Sequence, residues 1–253
     1  MHIAIETEGL TKHFDAVRAV DGLDLAVERG SFYGFLGPNG AGKSTTMKML
    51  TGILAPTAGS VRLLGRDLAR EPLAIKQHIG VVPEELCLFE NLTAREYLTF
   101  VGRMYRMNRD DVRRRSDELL ALFGLEGQEA TLTLEFSHGM KKKLSLAAAL
   151  IHDPELLFLD EPFEGIDAIT SRVIRRVLER VVQRGATIFL TSHILEVVEK
   201  LCSHVGIIHR GRLAVQGPLG ELTGGEGLER VFVDTVGAED QAAIGLSWLE
   251  DSA

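Results

Sequence analysis

The sequence predicts an α/β fold in which helices cover a mostly parallel sheet, with an inserted helical lobe and a small β-rich N-terminal part. Three observations predict it. A strand, a glycine-rich loop and a helix follow one another over residues 32–50. Strand-like and helix-like segments alternate after Pro154, which is typical of parallel sheets. Between these two parts, apolar residues recur at helical spacing from about 93 to 151.

The glycine-rich loop is the most specific motif. Residues 37–45 fit the phosphate-binding pattern G-x-x-x-x-G-K-[ST]. Backbone N–H groups of such a loop bind phosphate oxygens, Lys43 is placed to reach the β- and γ-phosphates, and Ser44 to bind Mg²⁺. The loop therefore predicts a P-loop NTPase within the α/β class. Its predicted nucleotide-binding residues are Gly37, Pro38, Asn39, Gly40, Ala41, Gly42, Lys43, Ser44 and Thr45.

The remaining elements are predicted in chain order. Short apolar segments predict strands over residues 3–7, 23–27, 32–36, 61–64, 79–82, 156–159, 186–191 and 205–209. The capping box that begins at Thr93 and the good N-cap Ser137 predict the starts of two lobe helices, with a third over residues 110–123 between them. Further helices are expected over residues 171–184 and after His193.

These elements predict one main domain. We expect residues 1–223 to form it, with the helical lobe inserted over about 93–151. Residues 224–253 are rich in glycine and acidic residues at first and then mildly apolar. They predict a small C-terminal appendage with a frayed end.

Composition argues against several other functions. The 253 residues include 28 Lys and Arg against 36 Asp and Glu, a net charge of −8, whereas a nucleic-acid partner requires a basic face. Cys87 and Cys202 lack metal-ligand spacing and fit a reduced, cytosolic compartment. We expect no signal peptide, and no apolar segment is long enough to span a bilayer. A role at the membrane therefore requires a second subunit.

Two acidic residues follow the apolar strand predicted over residues 156–159. In phosphate-loop enzymes the first such acid, here Asp160, holds the Mg²⁺ shell. Glu161 beside it is placed to orient and deprotonate an attacking water. The pair therefore predicts hydrolysis of the bound nucleotide.

The ordered set of motifs resembles the ATP-binding cassette (ABC) family over residues 3–217. The set comprises the phosphate loop, the helical insert, the segment Phe136-Ser137-His138-Gly139-Met140, the pair Asp160-Glu161, Asp167 and His193. The family usually carries L-S-G-G-Q where this chain has residues 136–140. The F-S-x-G-M-K variant resembles a branch of exporter ATPases whose membrane partners are separate chains.

The resemblance implies that two chains, identical or different, sandwich two ATP molecules. Each site would take Lys43, Ser44, Asp160, Glu161 and His193 from one chain and Ser137 and Gly139 from the other. By the same resemblance Asp167 joins the two sites, His193 contacts the γ-phosphate and Phe14 stacks on adenine. Glu84 stands where the family usually has Gln, a residue that touches Mg²⁺ at the contact with the membrane subunit. A carboxylate can also make that metal contact.

The expected function is therefore an ATPase that powers export through a transmembrane subunit at the cytoplasmic face of the membrane. The alternative is a soluble ABC ATPase without a membrane partner, of the iron–sulfur cluster assembly type. A GTP switch is less well supported, because the chain lacks an Asn-Lys-x-Asp motif.

Two surface segments carry further expectations. Residues 84–93 contain Leu86, Leu88 and Phe89 in a polar setting, which predicts an exposed docking groove for the membrane subunit. The alternative is a loop packed on its own lobe. Residues 141–143, three lysines after the Ser137 segment, predict a mostly solvated helix face.

Overall fold

The computed structural model describes residues 2–237, which form two sheets, flanking helices and a helical lobe, so the predicted fold class is confirmed. The strands are β1 (Ile3–Phe14), β2 (Val17–Leu23), β3 (Ala26–Glu28), β4 (Phe32–Leu36), β5 (Ala58–Leu63), β6 (Arg66–Asp67), β7 (Ile79–Val82), β8 (Leu156–Asp160), β9 (Thr187–Ser192), β10 (His204–His209) and β11 (Arg212–Pro218). The α-helices are α1 (Lys43–Leu50), α2 (Pro72–Lys76), α3 (Ala94–Met104), α4 (Arg109–Leu122), α5 (His138–Leu150), α6 (Ala168–Gln183), α7 (Leu195–Leu201), α8 (Leu219–Thr223) and α9 (Leu228–Val236).

The N-terminal sheet is antiparallel, with strand order β2-β1-β5-β6 and β3 paired to β1. The prediction of one strand over residues 23–27 is wrong, because the chain leaves β2 at Leu23 and begins β3 at Ala26. Thr7 of β1 stabilises the connection between β2 and β3. Its hydroxyl donates to the Leu23 carbonyl at 2.7 Å and accepts from the Leu25 N–H at 2.9 Å. The result is a strand β1 that pairs along most of its length.

The larger sheet positions the site. Its strand order is β11-β10-β4-β9-β8-β7, and all neighbours are parallel except β11 against β10. Since β9 lies between β4 and β8, the segments that follow these three strands emerge at one edge. Ligands of open α/β sheets bind at this carboxyl edge. The phosphate loop follows β4, His193 follows β9, and Glu161 follows Asp160, the last residue of β8.

The helical lobe begins and ends close to the predicted residues. Thr93 and Glu96 form the predicted capping box of α3, and Ser137 is the N-cap of α5. Helix α4 begins one residue earlier than predicted, because the Asn108 side chain accepts the N–H of Asp111 at 2.8 Å. Fully buried apolar side chains of the lobe belong to the same hydrophobic cluster as the sheet: Leu98, Val112, Leu120, Phe123, Leu144 and Leu146.

The C-terminal segment contains helix α9, which the sequence did not predict. Leu228 and Val236 of this helix are buried in the cluster that also holds the sheet. The N–H of Leu228 donates to Oε1 of Glu199 on α7 at 3.0 Å. The domain boundary after residue 223 stays a prediction. The part of the predicted appendage from residue 238 onward lies outside the described residues.

Two surface predictions are corrected by burial. Lys142 is not solvated: only 2% of it is exposed, because it lies on the inner face of α5. Leu86 and Leu88 are half-buried against the lobe, whereas Phe89 is 55% exposed and its ring lies 5.1 Å from that of Phe100. Over residues 2–237, no helix has both the length and the apolar character needed to cross a bilayer.

Candidate active site

The phosphate loop connects β4 to α1 in a conformation that requires glycine. Gly42 is the N-cap residue of α1 with φ of 110°, in the left-handed region that disfavours a side chain. A Cβ atom on Gly37 would overlap the carbonyl oxygen of Ile208. Glycine at position 37 therefore lets the loop pack against β10, and glycine at position 42 allows the left-handed turn into α1.

Lys43 begins helix α1 and lies over the loop. Its Nζ donates to the carbonyl oxygen of Gly37 at 2.8 Å and lies 3.8 Å from Oε1 of Glu161. The side chains of Lys43 and Glu161 are each 7% exposed. A buried cation thus lies between the phosphate loop and a buried carboxylate, where a charge–charge interaction is screened less than in water.

Asp160 and Glu161 are held by a threonine of the neighbouring strand. Thr191, at the register position opposite Asp160, donates its hydroxyl to Oδ1 of Asp160. The same hydroxyl accepts the N–H of Glu161 at 3.1 Å. Glu161 has φ of 45°, a left-handed backbone that a residue with a Cβ rarely adopts. The sharp turn directs the Glu161 carboxylate towards the phosphate loop.

His193 follows β9 at the same edge. Its Nδ1 lies 3.1 Å from Oε2 of Glu161, so the glutamate contacts Lys43 through one oxygen and His193 through the other. The imidazole is 42% exposed. A histidine in this position reaches both the buried carboxylate and the open cleft.

These groups surround a polar cleft of about 430 Å³. Its lining comprises Ala19, Asn39, Gly40, Gly42, Lys43, Ser44, Thr45, Glu84, Glu161, Glu164 and His193. The structure thus brings most predicted loop residues together with Glu84, Glu161 and His193. Phe14 lies outside this described lining, at the end of β1, where it is 46% exposed and Nζ of Lys12 lies 5.2 Å from its ring centroid.

Two hard oxygen ligands meet in the cleft, where the hydroxyl of Ser44 donates to Oε2 of Glu84 at 3.4 Å. The predicted third ligand, Asp160, is the buried last residue of β8 and lies outside the described lining. Within residues 2–237, no cluster of three or more His, Cys, Asp and Glu side chains could hold a metal alone. Mg²⁺ usually takes one or two carboxylates and completes its shell with water and substrate phosphates. The donor set fits that pattern.

A second group of predicted residues lies outside the cleft lining. Ser137 is exposed and accepts the N–H of Met140 at 3.3 Å, which closes the first turn of α5. Asp167 caps α6 by accepting the N–H of Thr170 at 2.9 Å and its hydroxyl at 2.7 Å. These hydrogen bonds lower the pKa of the Asp167 carboxyl. A Cβ on Gly139 would lie 3.9 Å from Oδ2 of Asp167, so the two helix N-termini are neighbours.

Sequence reasoning missed two residues of the site, Thr191 and Lys142. Thr191 is the penultimate residue of β9, and its role depends on which strand pairs with β8. Lys142 donates from Nζ to the carbonyl oxygen of Glu161 at 2.9 Å. A signal for its burial was present, since Lys142, Leu146 and Ala149 share one face of α5 at helical spacing.

Burial lowers the pKa of Lys142, whereas the carboxylates of Glu164, Glu161, Glu84 and Asp160 act in the opposite direction. The ammonium group thus lies beside the acidic side of the cleft. Its charge balances part of the negative charge that these carboxylates concentrate there.

A phosphate-binding loop that faces a buried carboxylate at the carboxyl edge of a parallel sheet defines the class of phosphate-loop nucleoside triphosphatases. Residues 20–164 match the family model described as ABC transporter. The chain belongs to the ABC transporter family and is an ATPase of that family.

Known relatives agree with this assignment. The chain is 40% identical over 223 residues to the bacitracin transport ATP-binding protein of Bacillus licheniformis, covering 88% of this chain and 72% of that protein. It is 40% identical over 219 residues to the daunorubicin/doxorubicin resistance ATP-binding protein of Streptomyces peucetius, covering 87% of this chain and 66% of that protein. A solved ATP-binding subunit of an ABC transporter superposes with a TM-score of 0.86 at 30% identity, covering 92% of this chain and 99% of that one. These relatives favour a transporter subunit over the iron–sulfur assembly alternative.

Proposed function

We propose that the chain dimerises on ATP and uses Mg²⁺-dependent hydrolysis to power export through a separate transmembrane subunit. The observation that carries this proposal is the buried Glu161 carboxylate, which contacts Lys43 of the phosphate loop on one side and His193 on the other. Such a carboxylate is suited to activate water beside a bound γ-phosphate. The ATP-binding relatives of transport and resistance systems support the coupling to export.

The proposed catalytic residues divide the work at the γ-phosphate. Glu161 accepts the proton of the attacking water. Lys43 binds the β- and γ-phosphates and offsets their negative charge, which grows at the bridging oxygen as the bond breaks. His193 contacts the γ-phosphate and restrains Glu161 through its Nδ1 contact. The loop residues 37–45 hold the phosphates through their N–H groups.

Ser44, Glu84 and Asp160 are the proposed Mg²⁺ ligands. Their hydroxyl and carboxylate oxygens are the ligands that this cation prefers, and Ser44 and Glu84 already contact each other. When bound there, Mg²⁺ would neutralise negative charge on the nucleotide phosphates. Thr191 supports this set by orienting Asp160 through its hydroxyl.

The ATP dimer accounts for the second group of residues. Ser137 and Gly139 at the N-terminus of α5 would bind the γ-phosphate held by the partner chain, since a helix N-terminus attracts anions. Asp167, which caps the adjacent helix α6, would join the two sites. We further propose that Phe14 stacks on adenine, because its ring is partly exposed at the end of β1.

The membrane partner would dock on the lobe next to Glu84. Phe89 and Phe100 are 55% and 41% exposed, and their rings contact each other, so they form an apolar surface. Phe89 lies in residues 84–93, the segment that begins at Glu84 in the cleft lining. A permease subunit seated there would hold the chain at the cytoplasmic face of the membrane. Movement of Glu84 on ATP binding would then reach the permease.

Light scattering of the Glu161→Gln variant tests the ATP dimer. The amide cannot accept the proton of water, so the variant should bind Mg·ATP without turnover and elute at twice the mass of the nucleotide-free chain. ADP in place of ATP should leave the mass unchanged. A variant that binds ATP and keeps the mass of a single chain would contradict the proposal.

A further inference from the structure

Lys142 connects two parts of the chain that the proposed function assigns to different ATP molecules. Its side chain is 2% exposed, and Nζ donates to the carbonyl oxygen of Glu161 at 2.9 Å. It lies on α5, the helix that Ser137 caps. A buried lysine that makes a directed hydrogen bond to the general base's own peptide group is poorly explained as a solvated charge.

The backbone of Glu161 depends on such anchors. With φ of 45° the residue adopts a conformation that is unfavourable for any side chain with a Cβ. Its N–H is held by Thr191 at 3.1 Å, and its carbonyl accepts from Lys142 and from the N–H of Glu164 at 3.2 Å. Strained backbone persists where its surroundings restrain it. Of these partners, Lys142 is the one that belongs to the helical lobe.

Helix α5 links Lys142 rigidly to Ser137. The Ser137 hydroxyl closes the first turn through Met140, and Lys142 lies in the following turn. A hydrogen-bonded helix moves as a unit, so a shift of its first turn is carried along its axis to the next. A shift of α5 that moves Ser137 therefore also moves Lys142, and it either displaces the Glu161 carbonyl or breaks the hydrogen bond from Nζ.

We propose that Lys142 is a positioning residue through which helix α5 controls the orientation of the Glu161 carboxylate. This inference rests on the proposed function, in which Ser137 serves the partner's ATP and Glu161 serves the chain's own. A nucleotide that engages Ser137 then acts through Lys142 on the general base of the opposite site. The contact gives the two sites a physical route to cooperative hydrolysis.

A purely structural role makes a different prediction. In that case Lys142 only offsets the charge of the neighbouring carboxylates, and its loss changes folding stability and nucleotide affinity rather than turnover and cooperativity. The hydrogen bond to a carbonyl, by contrast, needs a donor in a particular place. The two roles are therefore separated by the kinetics of matched substitutions.

Lys142→Met, Lys142→Arg and the control Lys141→Met provide that comparison in the full chain. Lys141 lies on the same helix and makes a partly exposed ion pair with Glu90 at 3.1 Å. For Lys142→Met we expect unchanged ATP affinity, a kcat reduced roughly ten- to a hundredfold, as for other misplaced catalytic groups, and a lower Hill coefficient for ATP. Lys142→Arg should restore both quantities because it keeps a cationic donor, and Lys141→Met should change neither.

Several results would overturn the role of Lys142. They are non-cooperative hydrolysis by the unsubstituted chain, wild-type kinetics of Lys142→Met, or a loss of kcat that only follows a loss of ATP affinity and melting temperature. If Lys142→Met does not fold, Lys142→Gln, which keeps a neutral donor, takes its place. If neither folds while Lys142→Arg does, Lys142 is a structural cation and the proposal is wrong.

The Glu161→Gln dimer separates this proposal from the proposed function. If that variant forms no dimer with Mg·ATP, the proposed function fails. If the dimer forms and Lys142→Met still shows wild-type kcat and cooperativity, only the positioning role of Lys142 fails.

Discussion

Oε2 of Glu161 lies 3.1 Å from Nδ1 of His193, which joins the residue that follows β8 to the residue that follows β9. The other carboxylate oxygen of Glu161 faces Nζ of Lys43 at 3.8 Å. The glutamate is thus held between Lys43 of the phosphate loop and His193. A water bound next to this carboxylate would have its direction of attack set by both neighbours.

Replacement of Glu161 by Gln should abolish steady-state hydrolysis and keep nucleotide binding. General-base assistance is worth roughly a hundredfold or more in rate, and the amide removes it without changing shape. Phosphate release and fluorescent-nucleotide binding measure the two properties. Glu164→Gln is the matched control, because Glu164 lines the same cleft but is exposed. Near-normal turnover of Glu161→Gln, or equal losses in both variants, would remove Glu161 as the base.

Replacement of Lys43 by Ala should weaken ATP binding and leave the fold intact. A charge-assisted hydrogen bond is worth about 1.5–3 kcal/mol, which corresponds to roughly a ten- to hundredfold increase in Kd. In the described structure Lys43 bonds mainly to its own loop, through the Gly37 carbonyl. Isothermal titration and a thermal melt should be recorded side by side. Loss of the folded state in step with affinity would assign Lys43 a structural role.

Replacement of Ser137 by Ala should reduce hydrolysis in trans. The variant keeps its own phosphate loop, so mixing it with Lys43→Ala chains should restore activity, because one site of the mixed dimer has all its parts. Steady-state ATPase activity of the mixture against each variant alone measures this. Absence of recovery would point to a site completed within one chain.

The capping role of Ser137 requires its own control. Loss of an N-cap serine costs about 1 kcal/mol of stability. Asn108→Ala removes the equivalent cap of α4, where the Asn108 side chain accepts the N–H of Asp111, and should keep full activity. If both variants lose activity alike, helix capping rather than nucleotide contact explains the effect.

Replacement of Phe89 by Asp should uncouple the chain from its membrane subunit. The ring is 55% exposed and contacts Phe100, so we expect a stability loss of about 1 kcal/mol and near-normal basal ATPase activity. Co-purification with the co-expressed membrane subunit and ATP-dependent transport should both fall. Leu73→Asp on α2 is the control, because Leu73 is 78% exposed elsewhere. Normal transport by Phe89→Asp would place the docking surface at another part of the chain.

The local parts of the site could be predicted from the sequence alone. The phosphate loop is one strand–turn–helix unit, so the spacing of Gly37, Gly42, Lys43 and Ser44 already encodes its geometry. The starts of α3 and α5 were equally local, because a cap side chain bonds to an N–H three residues away. The family and its ATPase activity followed from the order of such motifs along the chain.

Contacts between elements were decided only by the tertiary structure. Asp160 meets Thr191 because β9 lies between β4 and β8, an order that no local pattern encodes. The sequence predicts one strand where the structure has the β2–β3 connection, because the hydrogen bonds that hold this connection come from Thr7, which is distant in sequence. Three consecutive lysines look solvated in a sequence, yet the face of α5 that packs inward buries Lys142 against the carbonyl of Glu161. Hydrogen bonds within one or two helical turns are determined by residues that are neighbours in the sequence. The burial of a side chain depends instead on which distant parts of the chain pack against it.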